Sequence, residues 1–151
     1  AQSLNQMQFE AQSYALILLD LDHFKNINDN YGHDAGDTVL KRVAKILQVH
    51  LQNADVAGRF GGEEFLLILQ NKTHEQALLI AEQCRQLIEQ EAIQFDLNHT
   101  IYITASLGVA SSNIGLSKEI VLRQADQALY LAKKQGRNQV RHFAEIDHPS
   151  P

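Results

Sequence analysis

The most informative stretch of the sequence is Arg59-Phe60-Gly61-Gly62-Glu63-Glu64-Phe65, which places two adjacent glycines between two strand-like segments. Both glycines can adopt positive φ without steric cost, so the pair predicts a tight hairpin turn. Two carboxylates follow at once, and carboxylates beside bare backbone suit a site that holds a metal ion and lets phosphates approach. A plain hairpin with two solvated glutamates explains the same residues, so this stretch alone leaves both interpretations open.

A second acidic feature lies upstream, where the apolar run from Tyr14 to Leu19 ends in Asp20-Leu21-Asp22. A short apolar run of this kind predicts a buried central strand, with its carboxylates at the edge of the sheet. Asp22 is explained equally well as the N-cap of the following helix, whereas Asp20 is not. Magnesium is typically held by one or two carboxylates together with substrate phosphates. Asp20 and Glu63, at the ends of two strands, therefore predict a Mg²⁺ site.

The length, net charge and composition of the chain exclude several classes of protein. The chain has 151 residues, enough for one domain with a proper core, and its formal net charge of −5 argues against a general nucleic-acid surface. It contains no apolar run of transmembrane length and no basic-then-apolar signal peptide. The single cysteine, Cys84, excludes an internal disulfide and a thiolate zinc cluster, and its place on an apolar helical stripe predicts a packing role.

Periodicity and turn residues predict alternating strands and helices. The predicted strands cover residues 14–20, 55–60, 63–70, 93–97, 100–110 and 138–143. The predicted helices cover residues 22–30, 36–51, 74–91 and 117–135, the last ending at Gly136 as a C-cap. This order indicates a sheet with helices packed on it.

Several ordered motifs make the chain resemble the GGDEF family of diguanylate cyclases. The matching stretches are Asp20 to Asp29, Tyr31 to Asp37, Gly61 to Phe65, Ser106 to Ala110, Ala125 to Tyr130 and Ala132 to Asn138. The resemblance implies an α/β (α+β) fold with a central mixed five-stranded sheet flanked by helices, similar to adenylyl-cyclase catalytic domains and polymerase palms. It divides the chain into the end of an N-terminal helix at 1–13, a catalytic domain at 14–143 and a tail at 144–151.

The resemblance also implies a reaction. Two GTP molecules are joined into cyclic di-GMP with release of pyrophosphate, each 3′-hydroxyl attacking the α-phosphate of the other GTP. One domain binds one GTP, so a homodimer with a two-fold axis is expected, with Mg²⁺ or Mn²⁺ as cofactor and no nucleic-acid partner. The family's usual Asp-x-Leu-Thr segment is missing before residue 14. We therefore expect a cytoplasmic domain cut from a longer protein with an N-terminal sensory or membrane region.

The family's acidic and glycine motifs imply the catalytic roles. Asp20 and Glu63 would bind metal through their carboxylates and Leu21 through its backbone carbonyl. Glu63 or Glu64 would take the proton from the 3′-hydroxyl, and the sequence does not choose between them. Gly61 and Gly62 would let backbone and ligand come close.

The implied substrate contacts have simpler alternatives. Lys25, Lys133 and Arg137 would hold phosphates, with Lys25 also offsetting charge in the transition state. A helix C-terminus, however, attracts Lys133 and Arg137 for dipole reasons alone. Two further residues, Asn28 and Asp37, would read guanine, but Asn28 also suits a helix end and Asp37 a helix first turn.

Two flanking residues and one departure complete the interpretation. His33 would support the ribose or base edge, or brace its loop, and Phe24 would pack beneath the nucleotide or in the core. Many relatives carry Arg-x-x-Asp upstream of the glycine pair as a product-inhibition site, whereas this chain has Gln52-Asn53-Ala54-Asp55. Glutamine cannot imitate the planar guanidinium fork, so weak or absent feedback inhibition is predicted. The alternatives to an active cyclase are a catalytically weak GTP-binding regulatory module and a nucleotidyl cyclase with another base preference.

Overall fold

The computed structural model describes residues 14–51, 56–112 and 116–146. The strands are β1 (Tyr14–Leu21), β2 (Val56–Arg59), β3 (Glu64–Gln70), β4 (Ile93–Asp96), β5 (His99–Ile101), β6 (Ala105–Ser111) and β7 (Val140–His142). The helices are α1 (Phe24–Tyr31), α2 (His33–His50), α3 (His74–Gln90) and α4 (Lys118–Lys134), and a 3₁₀ turn covers Phe143–Glu145.

The main sheet has five strands in the order β2-β3-β1-β6-β7. Strand β1 is antiparallel to both β3 and β6, β2 is antiparallel to β3, and β6 runs parallel to β7. The predicted mixed five-stranded sheet with flanking helices is therefore confirmed, as is the central position of β1.

Strand β1 is buried along its whole length because helices cover both faces of the sheet. Its residues Ala15, Ile17 and Leu19 belong to the core cluster that contains the apolar side chains of α2 and α3. Its alternate residues Leu16 and Leu18 belong to a second cluster with apolar side chains of α4. Coverage on both faces explains why this strand is a continuous apolar run in the sequence rather than an alternating one.

Helix α4 lies unusually close to β6, and Gly108 permits this approach. A Cβ atom at Gly108 would lie 2.8 Å from the Cα of Leu129 and would also overlap the backbone at Ala125. Contact this close places the C-terminal end of α4, with Lys133, beside the end of β1.

The predicted single strand at 100–110 is wrong, because β5 and β6 are separate strands and β5 pairs with β4 in a two-stranded sheet of its own. The chain leaves the extended ladder at Thr104, whose carbonyl accepts a hydrogen bond of 2.8 Å from the backbone N–H of Asp22. The segment before β6 is thus held by the turn after β1.

Helix ends differ modestly from the predictions. Helix α2 begins at His33, three residues earlier than predicted, and α1 begins after Asp22 rather than at it. The stop at Gly136 is confirmed: its φ is 121°, and the N–H of Arg137 donates to the carbonyl of Ala132 at 2.9 Å. This is the pattern of a helix C-terminus closed by a left-handed residue.

Helix α3 packs through Ala77, Ala81, Cys84 and Ile88, which confirms the packing role of the cysteine. Leu87, on the same helix, is 40% exposed. In the described part of the chain, no helix is both long and apolar enough to cross a membrane. The predicted N-terminal helix, at 1–13, and residues 147–151 of the predicted tail lie outside the described residues.

Candidate functional site

The site is built around Asp20 at the end of β1. Asp20 is 6% exposed, and its Oδ2 accepts a charged hydrogen bond from the ammonium of Lys133. Burial raises the pKa of Asp20 above its ordinary value, Lys133 opposes the rise, and the neighbouring charges of Glu63 and Asp22 add to it. A buried carboxylate among other carboxylates is stabilised by positive charge, which Lys133 supplies here.

The two glutamates after the glycine pair occupy different positions. Glu63 belongs to the turn, where its carbonyl accepts a hydrogen bond of 3.2 Å from the N–H of Leu21. Glu64 begins β3 and lies directly opposite Asp20 in the antiparallel pair. Burial raises the pKa of Glu64, and Asp20 raises it further. The structure thus places Asp20, Leu21, Glu63, Glu64 and Lys133 close together at one end of the sheet.

The predicted hairpin between β2 and β3 is present, but the reason given for it is wrong. Gly61 and Gly62 have no positive φ. The turn is instead closed by the N–H of Phe60, which donates to the carbonyl of Glu64 at 2.8 Å, and by Nε of Arg59, which donates to the carbonyl of Gly62 at 2.9 Å. A four-residue loop does not need the left-handed backbone that a two-residue loop requires.

Gly62 nevertheless leaves open space. A Cβ atom there would meet no atom within 4 Å, whereas one at Gly61 would lie 3.0 Å from the carboxylate of Glu64. Gly62 faces a cavity of about 330 Å³ between the hairpin and the α1–α2 corner. The lining residues are Phe24, Lys25, Asn28, His33, Asp37, Leu40, Arg59, Gly62 and Glu63.

This cavity collects the residues that the sequence assigned to guanine and ribose. Asn28 lies on α1, and His33 and Asp37 lie on α2, so the tight turn at Gly32 brings them to one side. Phe24 is 9% exposed, belongs to the core and also forms part of the cavity wall, so its position is compatible with both of the predicted roles. Asp34, not Asp37, occupies the first turn of α2, and helix-end electrostatics therefore explain Asp37 less well than predicted.

Two residues of this site were missed by sequence reasoning. Gly36 lies on α2 where a Cβ atom would overlap the side-chain oxygen of Asn28 and come within 3.1 Å of the Phe24 ring. The missing side chain lets the carboxamide of Asn28 settle against α2. Arg59 lines the cavity beside Gly62, and its place next to the glycine pair is the only sequence signal that points to it.

Asp22 is not the helix cap that the sequence suggested. The N-cap of α1 is His23, with φ of 56° and no side-chain hydrogen bond. Asp22 is 6% exposed and accepts hydrogen bonds from the hydroxyls of Thr104 at 2.7 Å and Ser106 at 2.6 Å. It also accepts one from the backbone N–H of Asn138 at 3.0 Å. This carboxylate therefore ties together the ends of β1, β6 and the turn after α4.

The three predicted phosphate-binding cations differ in setting. Lys25 and Arg137 are exposed and form no ion pair with another described residue, whereas Lys133 is paired with Asp20. Lys25 lies in the first turn of α1, and Arg137 lies just beyond α4 with φ of 64°. Lys133 thus serves Asp20 as counterion in addition to any contact with a ligand.

No group of three metal-binding side chains from His, Cys, Asp and Glu is present among residues 14–51, 56–112 and 116–146. Asp20 and Glu63 supply two carboxylates, which is the usual protein share for magnesium on a nucleotide.

The predicted product-inhibition stretch Gln52-Asn53-Ala54-Asp55 lies outside the described residues.

Known proteins resemble this chain along most of its length. The family model described as diguanylate cyclase, GGDEF domain, matches residues 1–139. Diguanylate cyclase A of Treponema denticola is 42% identical over 139 residues, which cover 91% of this chain and 37% of that protein. The chain therefore corresponds to little more than a third of the length of this relative.

Solved structures give the same result. The GGDEF domain of DgcB from Caulobacter crescentus, in complex with c-di-GMP, superposes with a TM-score of 0.84 at 34% identity, covering 87% of this chain and 78% of that one. The active GGEEF domain of a diguanylate cyclase from Vibrio cholerae gives 0.81 at 38% identity, covering 92% and 85%. The acidic cluster, the cavity beside the glycine pair and these matches along most of the sequence show that the chain belongs to the GGDEF family.

Proposed function

We propose that this domain is the catalytic unit of a diguanylate cyclase, which condenses two GTP molecules into cyclic di-GMP and pyrophosphate. One observation carries the proposal: Glu63 lines the same cavity as Asn28 and Asp37, and its charge acts on the neighbouring carboxylates of Asp20 and Glu64. A base-recognition pocket and an acidic cluster at one end of a sheet are the two parts that nucleotidyl transfer needs.

Guanine recognition is assigned to Asn28 and Asp37. A carboxylate accepts from the N1–H and the exocyclic N–H of guanine together, a pair that adenine does not offer, and a carboxamide both donates and accepts. Phe24 supplies an apolar wall to the same cavity. His33, the first residue of α2, lies at its rim and supports the ribose or the base edge.

The acidic residues fit a divalent cation. Burial raises the pKa of Asp20, so its ionised form gains from a nearby positive charge, and carboxylate oxygens are the donors that Mg²⁺ and Mn²⁺ favour. Asp20 and Glu63 would hold the ion through their carboxylates and Leu21 through its carbonyl. When bound, such an ion stabilises the charge that develops on phosphate oxygens.

We assign the proton transfer to Glu64. Its raised pKa, caused first by burial and then by Asp20, makes it a better proton acceptor than an exposed glutamate. Lys25 and Arg137 are the exposed cations that would hold phosphates, and Lys133 would share its charge between Asp20 and the phosphate chain. Gly62 leaves the approach to the cavity open.

The product demands two domains. One cavity of about 330 Å³ suits one nucleotide, while cyclic di-GMP joins two, so two copies must face each other about a two-fold axis. Turnover by the separate domain is then limited by encounter, and its rate should rise with the square of protein concentration when the dimer is weak.

The test is incubation of the domain over a wide concentration range with Mg²⁺ and either GTP or ATP, with products separated by chromatography. We expect cyclic di-GMP from GTP alone, and none from the Glu63→Gln variant. The matched control is Glu91→Gln, which removes a carboxylate at the far end of α3 that pairs with Arg42.

Three results would contradict the proposal. Product formation by Glu63→Gln at the normal rate would remove the metal assignment. GTP binding without turnover at any concentration would favour the regulatory module, and equal use of ATP would refute guanine selection.

A further inference from the structure

The turn that follows α4 has a backbone conformation that needs support. Arg137 and Asn138 are consecutive non-glycine residues with φ of 64° and 47°, both in the left-handed region. Each such residue costs roughly 1 kcal/mol or more, so the surrounding structure must hold the pair in place. The same turn carries Arg137, and Lys133 lies one helical turn before it.

Asn138 is held by three hydrogen bonds that come from two other parts of the fold. Its side-chain oxygen accepts from Nη1 of Arg85 at 2.8 Å, and its side-chain nitrogen donates to Glu89 at 2.5 Å. Its backbone N–H donates to Asp22. The side chain of Asn138 is therefore hydrogen-bonded to helix α3, and its backbone is hydrogen-bonded to Asp22, the residue that follows β1.

Arg85 is itself fixed in place. Its side chain is only 14% exposed, and its guanidinium makes two hydrogen bonds of 2.7 Å to Glu82 and a further contact of 3.2 Å to Glu89. This many partners leaves the guanidinium little freedom of rotation, so the nitrogen that meets Asn138 presents a rigid donor.

We propose that Arg85, Asn138 and Asp22 are positioning residues that fix the Lys133–Arg137 turn against the Asp20–Leu21 end of β1. We refer to these three residues as the clamp. It rests on the proposed function, because the positioned groups are those assigned to the triphosphate and its metal ion. No clamp residue lines the nucleotide cavity, so the clamp acts on the phosphate end and leaves guanine recognition to Asn28 and Asp37.

The test measures dissociation constants for GTP and for guanosine, using displacement of a fluorescent GTP analogue in the presence of Ca²⁺ to suppress turnover. The variants are Arg85→Gln and Asn138→Ala. The matched control is Arg42→Gln, which removes an exposed guanidinium whose ion pair with Glu91 is 3.5 Å long. Circular dichroism and thermal unfolding establish that each variant is folded.

We expect both clamp variants to weaken GTP binding roughly tenfold, the effect of misplacing a charged phosphate contact. The dissociation constant for guanosine should not change in either variant. The control Arg42→Gln should bind GTP and guanosine as tightly as the parent protein does. The double variant should bind GTP no more weakly than Asn138→Ala alone, because that substitution already removes the contact with Arg85.

Asn138→Gly separates the side-chain contact from the backbone strain, since glycine relieves the positive φ without restoring the hydrogen bonds. The clamp requires this variant to be as weak for GTP as Asn138→Ala. Recovery of GTP binding by glycine would overturn the proposal, as would variants that bind GTP normally or lose GTP and guanosine affinity equally. Failure of the unchanged chain to bind GTP would instead refute the proposed function, and the clamp with it.

Discussion

Replacing Gly36 with alanine should weaken GTP binding while leaving the domain folded. The residue lies within α2, and an added Cβ atom would overlap the side-chain oxygen of Asn28 and lie 3.1 Å from both its Cγ and the Phe24 ring. The conflict is with the tip of a side chain rather than with backbone, so Asn28 can rotate away. Rotation removes its carboxamide from the position assigned to guanine recognition.

The substitution should change GTP affinity much more than the free energy of unfolding. The carboxamide must move by about 1 Å or more, enough to break hydrogen bonds to a base. Leaving the paired polar groups unsatisfied costs roughly 1–3 kcal/mol, or about 5- to 150-fold in the dissociation constant for GTP. For folding, alanine gains about 1 kcal/mol over glycine inside a helix, and local crowding costs a similar amount. The free energy of unfolding should therefore change by less than about 1 kcal/mol.

The assay is a double-mutant cycle that combines Gly36→Ala with Asn28→Ala, with GTP affinity measured by calorimetry and stability by urea unfolding. In the Asn28→Ala background the conflicting atoms are absent, so the glycine substitution should have little further effect on affinity. Asn26→Ala is the matched control, because Asn26 is an exposed asparagine of the same helix that does not line the cavity.

Two results would refute this reasoning. Normal GTP affinity in Gly36→Ala would show that the close packing of Asn28 on α2 does not matter for the ligand. An equal loss with and without Asn28 would show that the glycine acts through something other than this carboxamide.

Two further predictions concern Glu64 and product inhibition. Because the folded pKa of Glu64 is raised by burial, its deprotonated form, and with it turnover, should be lost at a higher pH than for an exposed glutamate as the pH falls. Because the folded pKa of Glu64 lies above its unfolded pKa, its contribution to the free energy of unfolding is lost as the pH rises from the unfolded value through the folded one. Glu64→Gln should thus abolish turnover yet raise the free energy of unfolding at neutral pH by roughly 0.2–1 kcal/mol, the penalty for like charges directly opposite on paired strands. Equal pH dependence of unfolding in variant and parent would contradict this assignment. With Gln52 where relatives carry arginine, titration calorimetry should detect only weak cyclic di-GMP binding, and tight binding that is lost in Asp55→Ala would show that the upstream site is intact.

The parts of the fold that were predictable depend on local pattern. The apolar run before Asp20 predicted a central strand because a strand covered on both faces needs apolar side chains at every position. The helix that ends at Gly136 was predictable because glycine readily adopts the positive φ that closes a helix. The break between β5 and β6 was not, since it depends on hydrogen bonds between Asp22 and Thr104, which are 82 residues apart.

The same distinction applies to the site. The resemblance to the family assigned roles to individual residues from their place in its motifs. In the structure, the acidic residues Asp20, Glu63 and Glu64 lie close together at one end of the sheet. Gly36 lies within the matching stretch from Tyr31 to Asp37 but was given no role, and Arg85 lies outside every matching stretch, because what matters for each is a partner that only the fold supplies. For Arg85 that partner is Asn138, which is 53 residues away. The contributions that could not be predicted from the sequence are therefore those that depend on side-chain packing and on hydrogen bonds between distant residues.

The choice between Glu63 and Glu64 shows how the fold divides a pair that the sequence leaves equivalent. Glu63 lies in the turn and lines the cavity proposed for the nucleotide, whereas Glu64 is the first residue of β3 and faces Asp20 across the antiparallel pair. Glu64 also lines a separate hollow of about 300 Å³ beside Leu18 and Phe60, outside the guanine cavity. A carboxylate in the cavity suits a ligand to the metal of the bound nucleotide. A half-buried carboxylate outside it suits a group that meets a hydroxyl arriving from a second domain, and this difference in environment is the physical reason for assigning the proton transfer to Glu64.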